Sequence, residues 1–282
     1  MTGPVLVLGA TSLIGRFLPA HLPEAEVVGA GRGGGAPGYP SWVTLDLTRP
    51  GPPVVRACAA VVSLSPIWLL PAALPELVGL GVQRVVAFSS TSRWTKAQSP
   101  EPGEREVAAR LSEAEGETIR ICEAAGVAST ILRPTLIYAE GRDGNVSRLA
   151  GLARRFGVLP ISGRGAGRRQ PVHADDLAAA VAQVLAAPVT ARRAYDLPGG
   201  ETLTYADMCR RVFEGLGRPP RLLHVPPPLW SAGLRLASPL LPGATAAMGA
   251  RMAEDLVFDP GPARRDFGWS PRPFRPDFRQ PS

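Results

Sequence analysis

From Pro4 to Leu197 short apolar runs recur, each followed by a turn signal or an amphipathic stretch. The runs Pro4–Leu8, Ala25–Gly29, Trp42–Leu47, Ala59–Leu64, Arg84–Phe88 and Ser129–Leu132 have strand length. Between them Ile14–His21, Leu69–Leu80 and Glu104–Ala125 place apolar side chains at helical spacing. Within the runs Val61–Val62, Val85–Phe88 and Ile131–Leu132 are apolar at consecutive positions. Strands buried on both faces of a parallel sheet read this way. The alternation therefore predicts an α/β fold on a doubly wound parallel sheet.

After Pro134 the pattern loosens. Gly141–Gly144 reads as a loop, Val146–Phe156 as a helix and Ser162–Arg169 as a Gly/Arg loop. Asp175 or Asp176 is a candidate cap for a helix running to Ala187. A strand near Tyr195–Leu197 follows, then helices over Thr204–Leu216 and near Pro228–Ala237.

Composition narrows the class. The 282 residues are 45% apolar and 20% charged, which fits a globular chain with a sizeable core. The uncharged stretch 57–75 carries Pro66, Pro71 and Pro75, which break a spanning helix, and 236–250 is too short to span. The N-terminus lacks the positive region of a signal peptide. We expect a cytoplasmic protein with no membrane partner. The net charge is +7, and the basic side is thirty arginines and one lysine, Lys96. Arginine pairs are dispersed, without interleaved aromatics, so no nucleic-acid partner is expected. Cys58, Cys122 and Cys209 are scattered, as are His21, His173 and His224, so neither a disulfide framework nor a metal site is expected.

The first strand runs into Gly9-Ala-Thr-Ser-Leu-Ile-Gly15. Gly9 allows a tight turn, a small residue at Ser12 lets backbone approach a pyrophosphate, and Gly15 permits close packing of helix on strand. Ser12 stands where a second glycine is usual, so its hydroxyl meets the phosphate. Gly9, Thr11, Ser12, Leu13, Ile14 and Gly15 are thus candidate cofactor residues in a Rossmann-type domain. Strand two leads to Arg32, where an NAD site usually places an acid for the ribose 2′-hydroxyl. An arginine suits a 2′-phosphate, so NADP is favoured, with NAD left open. Ser63 and Leu64, ending strand four, and Ser89, ending strand five, are further cofactor candidates. The expected division is a dinucleotide-binding domain of 1–133 with 170–197, and a smaller C-terminal substrate lobe of 134–169 with 198–282.

These residues resemble the extended short-chain dehydrogenase/reductase family, which includes nucleotide-sugar epimerases and dehydratases. Gly9 to Gly15 looks like its cofactor turn, and Asp46-Leu47 like the pair near the adenine. Ser89-Ser90-Thr91 resembles the hydroxyl cluster beside the nicotinamide. Arg133-Pro134 through Tyr138 resembles the RPxxxYG segment, and Pro171 to Ala178 the segment holding His173. Ala263 to Pro271, with Phe267-Gly-Trp269, resembles the closing stretch. The resemblance implies a Rossmann fold and a nicotinamide cofactor.

One departure matters. The family's acid/base pair is Tyr-x-x-x-Lys on the helix after strand five. Here the residue four before Lys96 is Ser92, and no tyrosine lies between Tyr39 and Tyr138. The remaining candidates for chemistry are Ser90, Thr91, Lys96 and Tyr138. Arg169 matches an arginine that binds the substrate diphosphate in nucleotide-sugar members, with Arg164 and Arg168 beside it, and His173 is a second substrate candidate. Two readings follow. One is an NAD(P)-dependent oxidoreductase or epimerase-like enzyme on a small polar substrate, nucleotide sugars included, with a homodimer allowed. The other is a non-catalytic NADP(H)-binding sensor or assembly protein.

Overall fold

A computed structural model describes residues 3–23, 26–49, 57–230, 232 and 246–279. Seven strands form the main sheet: β1 (Val5–Leu8), β2 (Val27–Gly31), β3 (Ser41–Thr44), β4 (Ala60–Ser63), β5 (Arg84–Phe88), β6 (Ala128–Pro134) and β7 (Arg193–Leu197). Their order is β7-β6-β5-β4-β1-β2-β3, every pair parallel. The order reverses at β1, so the crevice outside the carboxyl ends of β1 and β4 is where this topology receives a ligand.

The apolar runs explain the layers. Side chains alternate across a strand. Val5, Val7, Val62 and Val86 therefore meet Leu177 and Val181 of a helix over Ala174–Ala186 on one face. Leu6, Leu8, Val61 and Val85 meet Leu70, Leu74 and Leu77 on the other, with Leu111 of the long helix Pro102–Ala124. A smaller core of Tyr138, Val146, Ala150, Val212 and Phe274 lies beyond the sheet. Three two-stranded ladders frame it: Ile137–Tyr138 with Val172–His173, Leu159–Ser162 with Leu222–Val225, and Arg168–Arg169 with Leu203–Thr204.

Several expectations shift. Strand two is Val27–Gly31, two residues later than expected, and Ala25 lies outside the described residues. The first helix is only Leu18–His21. The chain from Gly9 to Phe17 instead runs through successive tight turns, with Ser12 N–H on the Gly9 carbonyl and Phe17 N–H on that of Ile14. Arg168–Arg169, placed in a loop, pairs as a short strand. His173, and neither Asp175 nor Asp176, caps the helix that follows it: its Nδ1 accepts the Asp175 N–H at 3.1 Å. Much of the helix expected near Pro228–Ala237 falls on 231 and 233–237, outside the described residues. No helix among the described residues is long and apolar enough to cross a membrane. All three cysteines are buried and free.

Candidate functional site

The turn after β1 is fixed by sterics. Gly9 has φ 75°, and a Cβ there would lie 2.7 Å from Ser65 Oγ and 2.9 Å from Ser65 N. A Cβ on Gly15 would run into the Ala10 carbonyl. The buried Tyr39 hydroxyl donates to Gly15 O at 2.7 Å and anchors the turn from β2's far side. Ser12 Oγ accepts the Gly15 N–H at 3.1 Å, leaving its own O–H to donate outward. Among the described residues the N–H groups of Thr11, Leu13 and Ile14 have no partner within the chain. A partly exposed turn with three unpaired donors suits an anion. At the end of β4 the Ser63 hydroxyl is buried without a partner, and Leu64 N–H bonds to Leu8 O at 2.9 Å. These residues fit a dinucleotide.

Arg32 directly follows β2 and is exposed, with no hydrogen bond or ion pair among the described residues. Asp46 stands near it. The Thr48 hydroxyl and N–H both donate to Asp46 Oδ1, at 2.7 and 3.0 Å, and hold that carboxyl below its ordinary range, with a smaller contribution from the Arg32 charge. Leu47 is half-buried beside it.

The end of β5 is built differently. Ser89 Oγ donates to Glu115 Oε1 at 2.5 Å. Glu115, fully buried on the long helix, also takes Arg93 and a fork from Arg133, whose Nη2 lies at 2.6 Å. The Arg93 and Arg133 guanidiniums sit 4.6 and 5.3 Å from the Trp94 ring centre. The Ser90 hydroxyl accepts the Ser92 N–H at 3.1 Å, and the buried Thr91 hydroxyl donates to Pro134 O at 3.1 Å. Lys96 Nζ lies 3.9 Å from Glu104 Oε1, which Arg251 also reaches at 2.6 Å. Tyr138 packs edge-on between His173 and Phe274, and burial pushes its phenol up.

The two substrate candidates are similarly engaged. His173 Nε2 lies 3.1 Å from a Glu140 carboxylate oxygen, so with Nδ1 accepting, Nε2 is the donor. Arg169 is 6% exposed and spends its donors on carbonyls: Arg168 O and Glu254 O, both at 2.7 Å, and Arg251 O. Its neighbour Arg168 pairs with Asp255 at 2.7 Å, while Arg164 is exposed.

Residues 76–197 match the NAD dependent epimerase/dehydratase family, and the fold around them is the one its members adopt. The match covers less than half of the chain. Among solved structures it is similar to the epimerase Mth375 of Methanothermobacter thermautotrophicus, with TM-score 0.71 and 16% identity over 98% of this chain and 90% of that one. It is similar to DesIV, the dTDP-glucose 4,6-dehydratase of Streptomyces venezuelae, solved with NAD and TYD: TM-score 0.68, 20% identity, 96% and 92% covered. It is similar to RMD of Pseudomonas aeruginosa complexed with NADPH: TM-score 0.66, 15% identity, 96% and 94% covered. What these structures share with the chain is the fold. The uncharacterized protein y4nG of Sinorhizobium fredii (strain NBRC 101917 / NGR234) is 29% identical over 214 residues, 70% of this chain and 51% of that protein. The chain thus spans about half the length of the curated relative it matches.

The β5 end departs from the acid/base arrangement that the resemblance implies. The side chains of Ser89, Thr91 and Lys96 are turned onto the protein's own groups. Sequence reasoning did not single out Glu115 as the hub. The signal was present: an acid on the helix stripe that otherwise buries Leu111, Ala114, Thr118 and Cys122. The Arg169 capture had no such signal, because its acceptors are backbone carbonyls 82 and 85 residues away.

Proposed function

We propose that the chain binds NADP(H) over the β1 turn and passes hydride to or from a small polar substrate at the carboxyl ends of β5 and β6. The observation that carries the cofactor choice is the Arg32 guanidinium at the end of β2, unpaired among the described residues, where the 2′-position of the adenine ribose sits in this fold. When bound, the dinucleotide supplies the hydride donor or acceptor. The chain's part is to orient it: unpaired amides of Thr11, Leu13 and Ile14 and the Ser12 hydroxyl face the pyrophosphate, and Asp46-Leu47 borders the adenine. The NADPH complex of the Pseudomonas neighbour supports a nicotinamide dinucleotide on this scaffold. Arg169 is buried and commits three of its five N–H donors to backbone carbonyls, which weighs against a nucleotide sugar held at that residue and for a smaller ligand. Ser90, at half burial, is the hydroxyl best placed to meet a substrate oxygen.

A second reading is a non-catalytic NADP(H)-binding protein, and one observation favours it: Thr91 and Lys96 are engaged internally and Tyr138 is sealed in the core. One experiment addresses both. Calorimetric titration should show NADPH tighter than NADH by roughly tenfold to a hundredfold, the scale of a charge-assisted contact. Arg32→Ala should erase most of that gap. Equal affinities in the wild type would overturn the NADP assignment. Turnover of any small carbonyl or hydroxyl compound establishes the enzyme, whereas tight NADPH binding with no turnover across such a panel favours the second reading.

A further inference from the structure

At the opposite end of the sheet, where the strands begin, positive charge is concentrated. Arg84 opens β5 and is 8% exposed. Its Nη2 donates to the hydroxyls of Thr130 and Thr190 at 2.7 and 2.6 Å, while its Nη1 is buried without a partner. Among the described residues no carboxylate pairs with it. A buried cation with only hydroxyls for company is unfavourable unless another charge offsets it.

The chain just beyond Thr190 forms the wall of a cleft of about 530 Å³, lined by Arg192, Arg193, Tyr195, Pro262, Arg265 and Asp266. Arg192 is the one non-glycine residue with positive φ among the described residues, at 59°. Its N–H is tied to Ser129 O at 2.6 Å. A left-handed backbone is ordinarily given to Gly or Asn, so a long cationic side chain held there points to a use for the side chain. The one acid of the cleft is already engaged. Asp266 accepts from the Tyr195 hydroxyl at 2.6 Å and lies 4.0 Å from Arg193 Nε. Arg192 and Arg265 are exposed and carry no ion pair among the described residues.

We propose that this cleft binds a phosphorylated small molecule. Its phosphate would be forked by Arg192 and Arg265, with the charge of Arg84, which is bonded to Thr190 two residues before Arg192, adding to the field. Guanidinium forks match phosphate oxygens in pairs. The cleft is in the size range of small-molecule sites and much larger than a bare phosphate, so a phosphate ester fits better than the free ion. The five residues of β5 separate it from the cofactor end by roughly 16 Å of strand.

The test is calorimetric titration of inorganic phosphate and glucose 6-phosphate at constant ionic strength, into the wild type, Arg192→Gly, Arg265→Ala and Arg32→Ala. The ester should bind the wild type and Arg32→Ala alike, and more tightly than inorganic phosphate. Arg192→Gly should weaken it by at least about tenfold, the scale of a lost charge-assisted contact. Its melting temperature should hold or rise, because glycine relaxes the left-handed backbone. Arg265→Ala, on the exposed rim, should weaken binding similarly, and it decides the matter if Arg192→Gly folds poorly. No binding by the wild type at millimolar ester, unchanged affinity in both cleft variants, or loss in Arg32→Ala alone would overturn the proposal.

Discussion

Glu115 shows how much one side chain can organise. It is fully buried, and Ser89, Arg93 and Arg133 converge on its two oxygens. A buried pair is only weakly stabilising as a whole, but removing one partner strands the others. Glu115→Ala leaves two largely buried guanidiniums facing each other, and should cost about 3–5 kcal/mol in urea unfolding. Glu115→Gln keeps the shape and the Ser89 acceptor and should cost less. A loss below about 1 kcal/mol for the alanine variant would mean that water reaches the arginines and the network is not the support of the β5 end. At this scale the sequence was readable where sterics rule. Gly9 and Gly15 could be assigned because any Cβ there meets backbone or Ser65. Glu115 was not assigned, because its partners come from two other elements.

Among the elements, the short strand Arg168–Arg169 does more than its length suggests. Arg169 takes the carbonyls of Arg251 and Glu254, Leu256 N–H bonds to Arg168 O at 2.9 Å, and Gly167 N–H bonds to Met252 O at 3.0 Å. The segment from Arg251 to Leu256 is thereby laced along the strand. Glu104 completes the lacing. Burial pushes its carboxyl up, but hydrogen bonds from Ser99 and Arg251 outweigh that and hold it below the ordinary range. Arg169→Met keeps most of the volume and deletes the donors. It should cost about 2–4 kcal/mol and raise amide exchange at Gly167 and Leu256 well before global unfolding. Unchanged exchange at both amides would show that the ladder holds without the guanidinium. The periodicity of Ile14–His21 misled in the opposite way. Its spacing is helical, yet the turn set by Gly9 and Gly15 consumes the first residues, and only Leu18–His21 closes as helix.

For the whole molecule, carboxylates tie the closing stretch and the smaller core to the sheet. Arg272 bridges Asp175 and Asp176 at 2.6 and 2.8 Å, and Glu140 meets His173. Burial pushes the Asp175 and Glu140 carboxyls up, but hydrogen bonds from His21 and Arg272, and from His173, prevail and hold both below their ordinary values. A carboxyl lowered by folding stabilises the fold above its unfolded value and loses that contribution as pH falls through its folded value. The melting temperature should therefore be level from about pH 8 to 5 and fall steeply below about pH 4. Arg272→Ala should lower the plateau, and its curve should converge with the wild type in acid. Parallel curves down to the acid limit would show that Arg272 acts through packing and not through these charges.

The sequence by itself determined the doubly wound sheet, because continuous apolar runs separated by helical stretches have no other way to bury both strand faces. It determined the turn at Gly9–Gly15, because only glycine tolerates that backbone. It also made Arg32 the residue at the end of strand two. Only the tertiary structure decided which charged groups stay free. Among the described residues Arg32, Arg192 and Arg265 remain unpaired while Arg93, Arg133, Arg169 and Lys96 are taken up within the chain. In a chain with thirty arginines every guanidinium reads alike along the sequence. Their partners, often carbonyls and carboxylates tens of residues away, are fixed only when the elements pack.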